Sequence, residues 1–350
     1  MVTTLSEFMA EHTQPAAGEL VESLSGGAVR CLACAHRCRI TDGHYGVCRV
    51  RVNRAGTLHV ASGYVAGLQL DPIEKKPFFH VYPGTDAISF GMLGCNLHCS
   101  FCQNWISTQM LREKRSDVMP SAVGVEQIKT LAERHRPPVC VSTYNEPLIT
   151  TEWAVAIFDE LRPLGVRGGF VSNGYATREV LEYLRPHMDL YKVDLKCFDE
   201  RNYRTLGGSL QPVLDTIGWL KELDYWVEVV TLVIPGFNDS DAELGRIARF
   251  LAGVSPDIPW HVTAFHPDYQ MTDTSATPAS TLLRACEIGK QAGLNFVYAG
   301  NLPGRLGSWE NTRCPHCDAL LIERWGLQTR RNRLADGRCP DCNTPIPGVW

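Results

Sequence analysis

Seven apolar runs recur along the middle of this chain with an amphipathic stretch after most of them, and that alternation limits the fold more than any other feature. From about Asp86 the runs at 86–92, 139–142, 166–172, 188–194, 225–234, 260–265 and 296–299 read as strands. Residues 123–135, 150–162, 177–185, 211–223, 239–252 and 278–292 read as helices. In the last of these, Leu282, Leu283, Cys286, Ile288 and Ala292 form a loose apolar stripe beside Arg284, Glu287 and Lys290. Strands spaced by roughly 15 to 25 residues, with a helix in each gap, are the pattern of βα units and a parallel sheet. Six such units fall short of a closed eight-stranded barrel. The expectation is therefore α/β: an open, partial β/α barrel with its chemistry at the carboxyl ends of the strands.

Composition agrees with a folded protein. In 350 residues, 44% hydrophobic and 21% charged, with 30 Gly and 21 Pro, neither a collagen-like, a coiled-coil nor a wholly disordered chain fits. Thirty-four basic against 38 acidic residues leave a net charge of -4, so no global field recruits nucleic acid or acidic lipid. The first residues lack a basic start followed by an apolar segment, and no run approaches the length needed to span a bilayer; a cytoplasmic protein without membrane contact is expected.

Of the 14 cysteines, all but Cys140, Cys197 and Cys286 fall into three groups. In a reducing compartment, grouped thiolates argue for metal ligands rather than a disulfide scaffold. Cys95, Cys99 and Cys102, in GMLGCNLHCSFCQN, supply three thiolates that can hold three irons of a [4Fe-4S] cube and leave the fourth iron open. A structural zinc there would need a fourth ligand, and His98 sits between two ligands, where its side chain is expected to point away. Cys314, Cys317, Cys339 and Cys342 form two CPxC knuckles 21 residues apart; they suit a closed tetrahedral zinc site, with iron or a redox dithiol pair as alternatives. Cys31, Cys34, Cys38 and Cys48, spaced by two, three and nine residues, suit zinc or a second [4Fe-4S] cluster equally. Neither His36 nor His44 is needed as a ligand, and the neighbouring Arg30, Arg37, Arg39 and Arg49 would stabilise either anionic site.

The central motif, CxxxCxxC with Phe101 before its last cysteine, resembles the signature of the radical S-adenosylmethionine (SAM) superfamily. That resemblance implies an open iron chelated by the amino and carboxylate groups of SAM, and reductive cleavage to methionine and a 5'-deoxyadenosyl radical. It extends over roughly Asp86 to Gly300 and implies further roles. STYNEP resembles the family's GGEP element, with Glu146 binding the SAM ammonium and Tyr144 and Asn145 replacing two glycines; a plain helix start is the alternative. VSNG makes Asn173 a ribose contact, or an ordinary turn. VDLK places Asp194 and Lys196 on one strand face, beside SAM or as a structural ion pair. IPGFNDS resembles a SAM-contacting segment in which Asp239 doubles as a helix N-cap, and His266 resembles a SAM-proximal histidine.

Over nearly the whole chain the pattern resembles the AmmeMemoRadiSam-system radical SAM enzymes, which are similar to pyruvate formate-lyase activase in the central domain. Three regions are expected: an N-terminal extension over 1–83 with the four-cysteine unit and short strands, a radical SAM core over 84–300, and a zinc-ribbon or rubredoxin-like domain over 301–350 whose closing tryptophan packs on the body. The expected function is SAM cleavage at a [4Fe-4S] cluster to abstract hydrogen from a small molecule or partner protein. The alternatives are a glycyl-radical-enzyme activase and a noncatalytic zinc-dependent binding protein. Implied partners are an electron donor such as flavodoxin or ferredoxin, and Memo-like and AMMECR-type proteins.

Overall fold

The computed structural model describes residues 4–113 and 119–350. Its main sheet has eight strands, numbered here in chain order: β1 (Gly67–Pro72), β2 (Asp86–Gly91), β3 (Val139–Ser142), β4 (Arg167–Ser172), β5 (Leu190–Asp194), β6 (Trp226–Val233), β7 (Trp260–Ala264) and β8 (Val297–Gly300). Seven of them are the strands expected from the apolar runs. The helices between them are α1 (Trp105–Glu113), α2 (Val125–His135), α3 (Thr151–Leu161), α4 (Arg178–Leu184), α5 (Leu210–Glu222), α6 (Asp241–Val254) and α7 (Ala279–Gln291), with a short helix at Glu200–Thr205. Helices α2 to α7 lie where the amphipathic stretches put them. Helix α1 and the short helix were not anticipated.

The sheet order is β8-β7-β6-β5-β4-β3-β2-β1. Strands β2 to β8 are parallel, each beside its neighbour in sequence. Consecutive order means that every right-handed crossover turns the same way, so the helices cover one face and the other face curls on itself. Among the described residues β1 and β8 do not pair, and the barrel stays open. β1 joins β2 antiparallel, so the sheet takes its last strand from residues ahead of 84. Ahead of the sheet lie two small antiparallel sheets, Thr13–Pro15 with Thr57–Ala61 and Val52–Arg54, and Val21–Ser23 with Val29–Cys31 and Arg39–Ile40.

Local capping differs from expectation at one point. Ser240, not Asp239, is the N-cap of α6, its hydroxyl accepting from the Glu243 N–H. Asp239 instead accepts from Gly236 N–H at 2.9 Å, which closes the preceding turn. The motif offers two adjacent capping side chains, and the turn consumes the first.

Because β1 runs against β2, the connection 73–85 lies at the amino ends of the parallel strands and plugs the barrel floor. Phe78 and His80 are fully buried there. The Glu228 carboxylate of β6 accepts from the backbone N–H groups of Phe79 (3.0 Å) and His80 (2.9 Å) and pairs with His261 of β7 at 2.7 Å. His80 in turn meets Tyr298 Oη of β8 at 2.6 Å. The C-terminal region, built on a three-stranded sheet of Thr312–Arg313, Leu320–Trp325 and Gln328–Asn332, covers this plug from outside. Arg324 donates to the Phe79 carbonyl at 2.7 Å and lies over the Phe79 ring at 4.3 Å. Val349 bridges Val81, and the Trp350 ring sits 5.4 Å from that of His80.

Removing Glu228 strands two backbone donors and a histidine in a dry site. We expect Glu228→Ala to lower the unfolding free energy by about 3–5 kcal/mol, read by urea titration at pH 7.5; a loss below about 1 kcal/mol would show that the clamp is dispensable. Acidification acts in the same direction. Burial holds His80 down to about 4, against an ordinary 6.5, so the unfolded chain binds the proton first. Stability should therefore fall as pH drops from about 6.5 toward 4, seen as a lower urea midpoint at pH 5 than at pH 7.

Candidate active site

At the opposite end of the barrel, the chain leaving β2 forms the loop that carries Cys95, Cys99 and Cys102. Arg112 of α1 shapes this loop by donating to the carbonyls of Cys95 (2.7 Å) and Leu97 (2.9 Å). Thr108 places its hydroxyl 3.2 Å from the Cys102 sulfur. The three cysteines line a cavity of about 450 Å³, together with Glu146, Asn173, Asp194 and Lys196 from the ends of β3, β4 and β5. Seven of the eight central residues expected to work together thus face one space. His266 is the eighth; it is exposed beyond the end of β7 and outside the lining of this cavity.

Glu146 is buried and held from three sides: Ser172 Oγ and Leu148 N–H donate to one oxygen at 2.7 and 3.1 Å, and Asn173 N–H to the other at 2.8 Å. It caps the short 3-10 helix Pro147–Thr150, as the helix-start reading expects, and it also lines the cavity. Burial pushes its carboxyl up to about 7, even with these donors pulling it down.

The two residues before it explain how a glycine-type turn survives without glycine. Tyr144 has φ of 69°, a left-handed conformation costing a non-glycine residue roughly 1–2 kcal/mol. Its hydroxyl is pinned by Lys76 at 2.9 Å, Ser89 at 3.0 Å and Asp71 at 3.2 Å. Gly67 and Gly91 are register partners, and a Cβ on Gly91 would stand 2.9 Å from the Tyr144 Cβ and 2.5 Å from the Thr143 carbonyl. Gly91 makes the room.

Asp194 pairs with Lys196 at 3.3 Å and also with Lys192. Burial opposes the charge on Lys196, but Asp194 and the Cys99 sulfur raise its pKa. Burial pushes the Cys99 thiol up to about 11, with Lys196 pulling the other way. Left alone, the buried Cys99 thiol keeps its proton, so metal binding would release it. Lys192 was missed from sequence although its signal was present: Lys192, Asp194 and Lys196 alternate along one face. Asn96 was also missed. Its Oδ1 accepts from Asn173 Nδ2 at 2.7 Å, a contact with no local sequence signature.

The donor set fits a cluster better than a single ion. Among the described residues, only Cys314, Cys317, Cys339 and Cys342 bring all their ligand atoms within 4.8 Å of one another. The three central sulfurs line the cavity without all coming that close, as suits thiolates bound to three different irons.

Comparison with known proteins agrees with this geometry. The profile of the radical SAM superfamily matches residues 91–251. An uncharacterized protein of Methanocaldococcus jannaschii is 38% identical over 329 residues, spanning 93% of this chain and 97% of that protein. A pyruvate formate-lyase-activating enzyme of Clostridium pasteurianum is 23% identical over 210 residues, 55% of this chain and 85% of that enzyme. A benzylsuccinate synthase activating enzyme of Thauera aromatica is 26% identical over 171 residues, 44% of this chain and 52% of that enzyme. No helix among the described residues is long and apolar enough to cross a membrane.

The C-terminal group is a different kind of site. Cys314 and Cys342 have their sulfurs 3.6 Å apart, as do Cys317 and Cys339. Tetrahedral thiolates about 2.3 Å from one ion lie about 3.8 Å apart, so four sulfurs here fit a single metal. The site stands on the floor side, outside the cavity lining, where a bound ion would hold together the region that carries Arg324 and Trp350. Cys314→Ser with Cys342→Ser should remove one metal ion per chain and lower Tm by roughly 5 °C or more, while metal bound at the other cysteines is retained; an unchanged Tm after loss of the ion would refute this structural role.

Proposed function

The chain belongs to the radical SAM superfamily of enzymes, and from that membership we propose that it cleaves SAM reductively at a [4Fe-4S] cluster held by Cys95, Cys99 and Cys102. The observation that carries the reading is the convergence of these three thiols with Glu146, Asn173, Asp194 and Lys196 on one cavity at the carboxyl ends of the strands. When bound, the cluster and SAM supply one-electron cleavage of a sulfonium and a carbon radical able to take hydrogen from a substrate. The chain's own residues bind and orient. Glu146 offers a desolvated carboxylate to the SAM ammonium, where a charge-assisted hydrogen bond is strong. Asn173 presents a polar edge for the ribose, and the Asp194–Lys196 pair keeps charge neutralised beside the cluster. His266, at the exposed rim, would reach SAM only from outside the cavity lining.

The wider pattern supports placement with the AmmeMemoRadiSam-system enzymes, with a small molecule or a partner protein as hydrogen donor and Memo-like and AMMECR-type proteins as partners. A low-potential electron donor such as flavodoxin or ferredoxin is required by the chemistry. The activating-enzyme relatives favour a second reading, a glycyl-radical-enzyme activase. Deuterated candidate donors distinguish these, since deuterium in 5'-deoxyadenosine identifies the donor and an activase would leave a glycyl radical on a protein. Superfamily membership sets aside a noncatalytic zinc-binding protein. We propose zinc for the C-terminal site because its sulfur spacing suits one tetrahedral ion.

Replacing Cys95, Cys99 and Cys102 together by Ala should abolish reductant-dependent formation of 5'-deoxyadenosine; full cleavage in this variant would sink the assignment. Glu146→Gln should retain the central cluster and weaken SAM binding by about 1.5–3 kcal/mol. The reduced cluster's electron paramagnetic resonance (EPR) signal, titrated with SAM, gives the affinity, and equal affinities would leave Glu146 as a helix cap alone.

A further inference from the structure

The N-terminal cysteines differ in arrangement from the C-terminal ones. Cys31, Cys34, Cys38 and Cys48 ring a void of their own, closed by Arg51 and Ile149. No three of their sulfurs come within 4.8 Å of one another, in contrast to the C-terminal set. One tetrahedral ion needs sulfurs about 3.8 Å apart; a cubane, in which each thiolate binds a different iron, spreads them to roughly 6 Å. The Cys38 sulfur also accepts from the Val47 N–H at 3.5 Å, and such donors stabilise the thiolates of iron-sulfur clusters.

A second observation points to an anion at this void. Asn96 is fully buried, and its Nδ2 has no hydrogen-bond partner. Its Oδ1 is fixed by Asn173, so Nδ2 faces the Cys34 sulfur. A neutral thiol is a poor acceptor for that donor; a metal-bound thiolate satisfies it.

The same residue reaches the central site. Asn96 Oδ1 lies 3.8 Å from the Cys95 sulfur, and the Asn96 carbonyl contacts His36 Nε2 at 2.9 Å. Arg112 binds the Val47 carbonyl at 3.1 Å and the Cys95 carbonyl at 2.7 Å with one nitrogen. The two cysteine sets are thus joined by single side chains rather than separated by a layer of core.

We propose that Cys31, Cys34, Cys38 and Cys48 hold a second [4Fe-4S] cluster, coordinated on all four irons, that relays electrons to the central cluster. Per turnover it accepts one electron from an external low-potential ferredoxin- or flavodoxin-class donor and passes that electron inward, returning to its oxidised state, with no bond made or broken. Val47, exposed, lies against Cys38 at the edge of this void, where a donor would approach. The relay rests on the proposed SAM cleavage; the second cluster itself does not.

The test is anaerobic reconstitution of the full-length chain, with counts of iron, sulfide and zinc. Wild type should hold about eight irons and eight sulfides with one zinc, and the Cys95/Cys99/Cys102 triple Ala variant about four, a twofold drop. About four irons and two zincs in wild type would overturn the second cluster. Four irons in wild type that all persist in the triple variant would instead overturn the central assignment and leave the N-terminal one standing. For the relay, the fully reduced wild type should show an EPR signal broadened by coupling between the clusters and relaxing faster than that of the triple variant. A spectrum that is the simple sum of two isolated signals would overturn it.

Discussion

The buried carboxylate of Glu228 holds the molecule together at the point where an open barrel is weakest. An unclosed sheet leaves its interior accessible at the amino ends of the strands, and the β1–β2 connection fills that end with Phe78, Phe79 and His80. Two backbone donors of the plug and His261 converge on this one carboxylate. Burial works against the Glu228 charge, but His261, His80 and the Phe79 N–H hold its carboxyl below the ordinary range. Through His80 and Arg324 the same cluster reaches the C-terminal domain, so a metal site with no access to the cavity still bears on the barrel around it.

At the other end the constraint is again a buried carboxylate, in the opposite condition. Glu146 is satisfied by three donors yet pushed up to about 7, because dry surroundings cost more than the hydrogen bonds return. A cation entering the cavity would favour its ionised form. Glu228 meets a histidine within the fold, whereas the donors to Glu146 are all neutral. The strained Tyr144 two residues before it is tolerated because Lys76, Ser89 and Asp71 fix its hydroxyl and Gly91 gives it space.

The three cysteine sets show how far spacing carries an argument. Two CPxC knuckles suit one tetrahedral ion, and the structure brings their four sulfurs together. The spacing of Cys31, Cys34, Cys38 and Cys48 implies four ligands and leaves the ion undecided, because it says nothing about how far apart the sulfurs end up. That separation is set by the Val29–Cys31 and Arg39–Ile40 strands, by the Gly46 turn, and by Ile149 and Arg51 packed behind the void. The Lys192–Asp194–Lys196 row lay between these cases, readable by alternation and only partly read.

What the sequence determined by itself was whatever depends on neighbours a few residues apart: seven strands of the main sheet, six of its helices, the three cysteine groups, and the motif carrying Glu146. Period, capping and ligand spacing are local, and they survive translation into structure with errors of one residue, as with Ser240 and Asp239. Only the tertiary structure decided what joins these pieces. Phe79 meets Glu228 across 149 positions, Asn96 meets Asn173 across 77, and His266 ends outside the cavity its neighbours line. Such contacts depend on how the sheet curls and where the connections cross it, and no local pattern of residues encodes that curvature.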